Sequence, residues 1–569
     1  MSKKVLPEWD LYEAGINYNN RLLIGDKNYY ETIDVNIAFA NDDQWRNVEA
    51  KDISKPMIPV LQKAKQHTVS NLTSTNISAT VQPLGYTQDD EADTIASIAN
   101  AEIRNIFDDI KYEFKVREGL GDAFDMGDMC LHFFWDADVK PFANSEVQGK
   151  IDAELVDGPN VMFGNANNPN PKKQPYIIIV GRQPAIELIE EAKLYKNTIE
   201  VEADDDFNYQ AGDAGKIELD TDKYGKALYI IIYKKDKKTK KVMVSKFIKS
   251  DYIYKDIDTG LTEYPVAFMN YKKQKNQYHG RAGATGLISN QIAINKLCAM
   301  AIYSVMKTAF PTLAYDADRI AAPSNEIGRA IPIHDLQNGE GVRSVAGYLE
   351  VGQMSGQVIQ MIELMINYTK DMLGINDAAV GNINPDNTSA MALAEKLSSV
   401  PLENVKSNLY EFTEQVVDII LDFISTKYGV RPVKIVTENV AGIQDFDFTN
   451  FGNLVLNKKI DVGAIGYASE LSSIRELRDL LQLGKIETID YLERLPEYTI
   501  PKVKELVETI KARLGYQDQE TQKANEQQWE QMMQFMQTLP ADVQEQLKKL
   551  PDNQLEQQLT QLMEQAPQQ

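Results

Sequence analysis

Gly280 to Phe310 reads GRAGATGLISNQIAINKLCAMAIYSVMKTAF, and Met354 to Leu373 reads MSGQVIQMIELMINYTKDML. The first stretch has no internal proline. Ile288, Ile292, Asn295, Cys298, Ile302, Val305 and Ala309 recur in it at spacings of three and four, which predicts a helix of roughly 45 Å at about 1.5 Å per residue. Pro311 stops it. In the second stretch Val358, Ile362, Met365 and Met372 share one side, and Gly374 suits a helix end. Pro323, Gly328, Pro332, Gly339, Gly341 and Gly347 forbid long helices over Thr312–Gly352. Two long, weakly charged helices therefore flank an insert far beyond the usual short connection. Lys296, Met300, Tyr303 and Lys307 lie at spacings of four, three and four and share a thin stripe of the first helix. Such a helix is buried in a bundle, or packs between copies in a ring with the stripe facing a lumen.

A polar loop follows, Asn376–Thr388 (NDAAVGNINPDNT). Its glycine, asparagines, proline and aspartate suit turns, and its length exceeds the usual two to eight residues between bundle helices. A third helix is expected from Ser389, a good N-cap, to Tyr428, with Gly429 as its stop. Pro401 lies inside it and predicts a kink, since proline removes a donor and crowds the preceding turn.

Upstream the pattern mixes strand and helix. Leu131–Trp135, Tyr176–Val180 and Tyr264–Asn270 read as extended runs, the last with Pro265 fitting a strand start or an edge. Ala227–Lys234 and Val242–Phe247 flank a basic hairpin tip, KDKKTKK. Downstream of about residue 465 the chain reads as short helices and turns glutamine-rich after Tyr516.

The 569 residues carry 60 basic and 83 acidic side chains, a net charge of −23, which argues against a basic groove that holds DNA by its phosphates. Two cysteines exclude a disulfide framework and a cysteine-rich zinc site. The N-terminus has no apolar segment of the signal-peptide kind. No run of about 18 apolar residues predicts a membrane span; even VVDIILDFI is broken by Asp418 and Asp422. There is no GxxxxGK[ST] phosphate loop, and none of the four histidines sits in a metal spacing. His132, in an apolar strand, reads as a satisfied core histidine. Gly280, Gly283 and Gly286 read as a flexible start to the helix rather than a nucleotide cradle. Neither catalytic residues, nor a metal, nor a cofactor is expected.

Several further segments fall in a telling order. Asn41-Asp-Asp-Gln-Trp45, Asp125-Met-Gly-Asp-Met-Cys-Leu-His-Phe-Phe-Trp-Asp136, Tyr264-Pro-Val-Ala-Phe268 followed by Tyr278-His-Gly280, Ile460-Asp-Val-Gly-Ala464, Gly484-Lys-Ile486 and Tyr491-Leu-Glu493 surround the helix, insert, helix, loop and kinked helix. This succession resembles the portal proteins of tailed bacteriophages, with Asp42 where that family more commonly has glycine. The resemblance implies an α+β, predominantly helical portal fold: a wing over 1–279, a first stem helix over 280–311, a clip over 312–352 and a second stem helix over 353–375. It implies a tunnel loop over 376–388, a kinked wing helix with return strands over 389–464, a crown over 465–516 and a glutamine-rich tail over 517–569. It further implies a ring, usually of twelve subunits, at one capsid vertex of the virion, assembled in the host cytoplasm. Double-stranded DNA passes through such a ring during packaging and ejection. The implied partners are the terminase large subunit, head–tail adaptor or tail proteins, and major capsid and scaffold proteins, with no membrane. The channel residues would be Gly381, Asn382, Asn384, Asp386, Asn387 and Thr388 of the tunnel loop, and Lys296 and Lys307 of the stem. A mostly acidic wall would keep the duplex from adhering, with a few lysines making transient phosphate contacts. Two other readings are a different head–tail adaptor or scaffold ring, and a DNA-processing enzyme, which would need a carboxylate metal site or phosphate loop.

Overall fold

Strand Asp128–Asp136 (DMCLHFFWD) is the centre from which the first part of the fold is laid out. It forms the middle of a three-stranded antiparallel sheet, between Lys150–Val156 and Val266–Asn270. The computed structural model describes residues 5–49, 53–73, 77–83, 90–139, 149–201, 225–309, 313–320, 331–335, 339, 341–348, 356–372, 400–437, 440–449, 456–462 and parts of 477–510. The chain divides into two units, Met1–Gly466 and Tyr467–Gln569. It is mixed helix and strand, 50% helical and 22% strand, so strands carry more of it than a predominantly helical reading implies.

The helices of the first unit begin with α1 (Pro7–Arg21), α2 (Tyr29–Ala40), α3 (Val60–Leu72), α4 (Asp90–Asp109) and α5 (Tyr112–Met126). Helix α2 starts with a capping box: the Asn28 side chain accepts from the Glu31 N–H, and the Glu31 carboxylate accepts from the Asn28 N–H. A five-stranded antiparallel sheet follows in the space order Tyr252–Asp258, Val242–Phe247, Lys226–Lys235, Tyr176–Pro184, Val161–Phe163. Lys235 pairs with Val242, so the basic heptad does form the hairpin tip. Helix α6 (Ala185–Leu194) rests on this sheet through Leu188 and Ala192. His132 is buried, with Nδ1 2.9 Å from Glu154 and Nε2 2.7 Å from the Tyr233 hydroxyl, a satisfied core histidine as its sequence setting suggests.

Strand Val266–Asn270 is an edge, and an uncovered edge would leave a row of free peptide groups. The long helix Glu403–Lys427 covers it. Val405, Leu409, Phe412, Val416, Ile420 and Phe423 recur at spacings of three and four and are all buried. The same helix supplies polar partners to the edge: the Gln415 amide oxygen accepts from the Phe268 N–H at 3.0 Å, and Asn408 donates to the Asn270 carbonyl at 3.1 Å. Asp418 and Asp422, which break the apolar run, dock two other segments, the Pro171–Lys173 turn and the residues before Val266. Asp418 pairs with Lys172 at 2.7 Å, and Asp422 accepts from the Thr262 and Glu263 N–H groups, each at 2.8 Å. Pro401 lies in a 3₁₀ turn, Val400–Leu402, that leads into this helix, an ordinary place for a residue without an N–H. The expected kink needs residues before Val400, and 389–399 lie outside the described residues.

The next two helices are α7 (Ile288–Ala309) and α8 (Gln357–Asp371). Helix α7 starts at Ile288 rather than Gly280, because Gly280–Leu287 is tied down in other ways. The Gly280 N–H donates to Asp128, Arg281 bridges to Lys272, and Ala284–Gly286 is a 3₁₀ turn. Gly280 and Gly283 are not there for flexibility. A Cβ on Gly280 would lie 2.6 Å from the Gly127 carbonyl oxygen, and one on Gly283 would lie 2.7 Å from the Phe124 ring. The insert between α7 and α8 closes on itself, with Leu313–Tyr315 antiparallel to Ala346–Tyr348. In the second unit, Ile489 and Leu492 of the short helix Thr488–Glu493 pack with Val507.

Gly127 ends α5 at φ 100°, and a Cβ there would lie 2.5 Å from the Gly280 carbonyl oxygen. A left-handed backbone costs a residue with a Cβ about 1–2 kcal/mol, and the clash adds to it. Gly127→Ala is therefore expected to lower the denaturant midpoint by more than that increment alone, measured against Gly286→Ala, where the added Cβ meets open space.

Candidate functional site

The candidate site is the hairpin of α7 and α8 together with what fixes its base. Asn290 donates to the Thr369 hydroxyl at 3.2 Å and approaches the Met372 sulfur at 3.9 Å. The start of α7 thus lies beside the end of α8, and the two helices run antiparallel.

Two polar networks hold the base of α7. In the first, Gln291 and Asn295, both 2% exposed, face the segment after α2. The Gln291 amide donates to the Ile58 carbonyl at 2.6 Å and to Asn295 Oδ1 at 2.9 Å, and its oxygen accepts from the Leu61 N–H at 3.2 Å. Asn295 Nδ2 donates to Gln44 Oε1 at 2.6 Å. Trp45 Nε1 donates to the Pro56 carbonyl at 2.9 Å, which holds the two ends of that segment together. The Gln44 and Trp45 of the Asn41–Trp45 motif therefore place the helix.

The second network centres on Asp128, 0% exposed. Its Oδ1 accepts from Asn270 Nδ2 and from the Gly280 N–H, each at 2.7 Å. Its Oδ2 accepts from the Tyr29 hydroxyl at 3.2 Å and lies 2.6 Å from His279 Nδ1. His279 Nε2 lies 3.0 Å from Asn19 Oδ1, and Asn19 Nδ2 donates to the Tyr30 hydroxyl at 3.0 Å. The two ring nitrogens of His279 thus join the Asp128 carboxylate to the Asn19 side chain. Burial, with the Asp128 charge adding to it, pushes the Tyr29 phenol well above its usual range, so it stays a donor. This network ties α1, α2, two strands and the lead into α7 to one carboxylate. Spacing could not reveal it, since Asp128 and His279 are 151 positions apart.

The far half of α7 and much of α8 have no such partners. Met300, Ile302, Val305 and Met306 are exposed on α7, as are Met361, Leu364, Tyr368 and Met372 on α8 or at its C-cap. The second set recurs at three, four and four, one continuous apolar stripe. Lys296 and Lys307 are exposed, with the Lys307 ammonium 5.6 Å from the Tyr303 ring centre. At about 100° per residue, α7 presents three sides in turn. One carries Asn290 and faces α8. The next is the exposed stripe Lys296, Met300, Tyr303 and Lys307. The third carries Ile292 and Asn295, beside the Gln44 segment. Gly381, Asn382, Asn384, Asp386, Asn387 and Thr388 all lie outside the described residues.

Among the described residues, no group of three or more His, Cys, Asp or Glu side chains is gathered to hold a metal ion, and no helix is long and apolar enough to cross a membrane. No family model and no curated protein matches the chain.

A different carboxylate sets a pH dependence close by. Burial, and then the Asp157 charge, raise the Asp122 carboxyl to about 7, partly offset by Lys65. Between its ordinary 3.8 and about 7, the folded chain keeps a proton there that the unfolded chain has lost. The slope of stability with pH is then negative, and this contribution is lost as pH rises through that window. Asp122→Asn should raise the thermal midpoint at pH 8 and change it little at pH 4, as measured by calorimetry at both values.

Removing one partner of a buried hydrogen bond leaves the other unsatisfied, at about 1–3 kcal/mol. Asp128→Ala and His279→Ala should each cost at least about that much in denaturant unfolding. A loss below about 1 kcal/mol for either would mean that the network does not carry the fold.

Proposed function

We propose that the chain is a ring-forming DNA channel protein of the portal type, acting as a structural conduit rather than an enzyme. The observation that carries the reading is the α7–α8 hairpin: fixed at its base by buried polar networks, it leaves apolar side chains of both helices exposed among the described residues. Exposed apolar surface of this extent calls for association. Different patches on α7 and α8 favour head-to-tail contacts, which close into a ring when the rotation permits. In that ring the stripe of Lys296, Met300, Tyr303 and Lys307 faces the lumen. Its two ammonium groups meet passing phosphates while the acidic remainder, within a net charge of −23, limits adhesion.

On this reading 376–388 is the tunnel loop, the insert over 312–352 is the clip that docks head–tail adaptor or tail proteins, and the terminase large subunit supplies the work of packaging. The order of the quoted motifs supports the same assignment. So does the tie from Gln44, in the first of them, to Asn295 on the channel helix.

Electron micrographs of the purified chain, and of heads assembled with it, test the proposal. Rings with a central hole are expected. A 64.2 kDa monomer at every salt concentration, with no ring in assembled heads, would overturn it.

A further inference from the structure

A groove of about 330 Å³ lies between α2, the Asp43–Val48 turn and the third side of α7. Phe39, Trp45, Val48 and Ile292 make its apolar wall. Among the described residues, Lys27, Arg46 and Lys296 stand around it against one acid, Asp43, which Arg46 already pairs at 3.1 Å. Gln44 also lines it. That side chain is 7% exposed, and while its oxygen is taken by Asn295, its Nε2 has no partner. A buried amide donor left unpaired costs free energy that an incoming acceptor recovers.

We infer that this groove receives α8 of a second copy of the chain, with Leu364 and Tyr368 entering it. The inference rests on the ring reading and deepens it by naming the two faces that meet. Three observations choose the occupant. The first is height. A rotation about an axis parallel to the hairpin moves a neighbour sideways without moving it up or down. Asn290 meets Thr369 within one chain, and the helices are antiparallel. At about 1.5 Å per residue, Leu364 then lies about 7.5 Å above that contact, level with Asn295, and Tyr368 lies about 1.5 Å above it, just below Ile292. The apolar stripe of α8 and the groove therefore share one level. The second is side: the groove lies across α7 from its own α8, as a head-to-tail contact requires. The third is charge and chemistry. Asp371, one turn from Tyr368 and exposed, meets a rim with an excess of cations, and the phenol oxygen offers the acceptor that Gln44 Nε2 lacks. Lys296 then marks the boundary between the neighbour's seat and the lumen stripe.

The test is disulfide trapping in assembled rings, with Cys298→Ser to remove the half-exposed native thiol; the buried Cys130 stays. Val48→Cys with Tyr368→Cys, and separately Asn47→Cys with Leu364→Cys, should give a ladder of covalent oligomers on a non-reducing gel after mild oxidation. Intact rings in which neither pair links would overturn this inference and leave the ring reading standing. A parent chain that forms no rings would overturn both. A further arm needs no engineered thiol: Val48→Trp, which fills the groove from an exposed position, should lower the fraction of chain in rings at least tenfold relative to Leu194→Asp, at an exposed site elsewhere. Equal assembly of the two would equally overturn it.

Discussion

One carboxylate, that of Asp128, receives donors from a strand, a backbone amide, a tyrosine and a histidine, with no solvent to share the charge. A carboxylate buried this deeply persists only if its oxygens are supplied with donors. Meeting that demand fixes where α1 and α2 sit, how the edge strand ends at Asn270, and where the chain leaves the sheet before α7. The close approach of Gly280 to Gly127 follows from the same demand, since the Gly280 N–H must reach the carboxylate past the end of α5.

The hairpin of α7 and α8 reverses the common distribution of polarity along a protruding element. Its base, within the protein, is held by amide side chains: Gln291, Asn295, Gln44 and Asn290. Its outer part, where charge would be expected, carries methionine, valine, isoleucine and tyrosine. Amides at the base specify direction and register, because each has a defined set of donors and acceptors to satisfy. Apolar residues further out stand exposed among the described residues.

Much of this was legible in the sequence, and the exceptions are physical. The helix pair, the broken insert, the hairpin with its basic tip and the buried setting of His132 follow from periodicity, proline and glycine placement, and strand alternation, which are all local. The start of α7 was misplaced at Gly280, since three glycines at regular spacing look like slack when only the sequence is seen. Two of them instead lie where a side chain would strike a carbonyl or a ring. His279 lies in the quoted Tyr278-His-Gly280 segment, but its partners, Asp128 and Asn19, lie in distant segments that only the folded chain brings together. The groove beside Gln44 left no signal either, as it is shaped by three segments meeting.

The strand pairing that closes the insert is Leu313–Tyr315 with Ala346–Tyr348. The two strands bring the ends of the intervening segment together, and lengthening a segment whose ends are already joined costs only about 0.6 kcal/mol per doubling. Two short strands thus join the ends of the insert close to where it leaves α7.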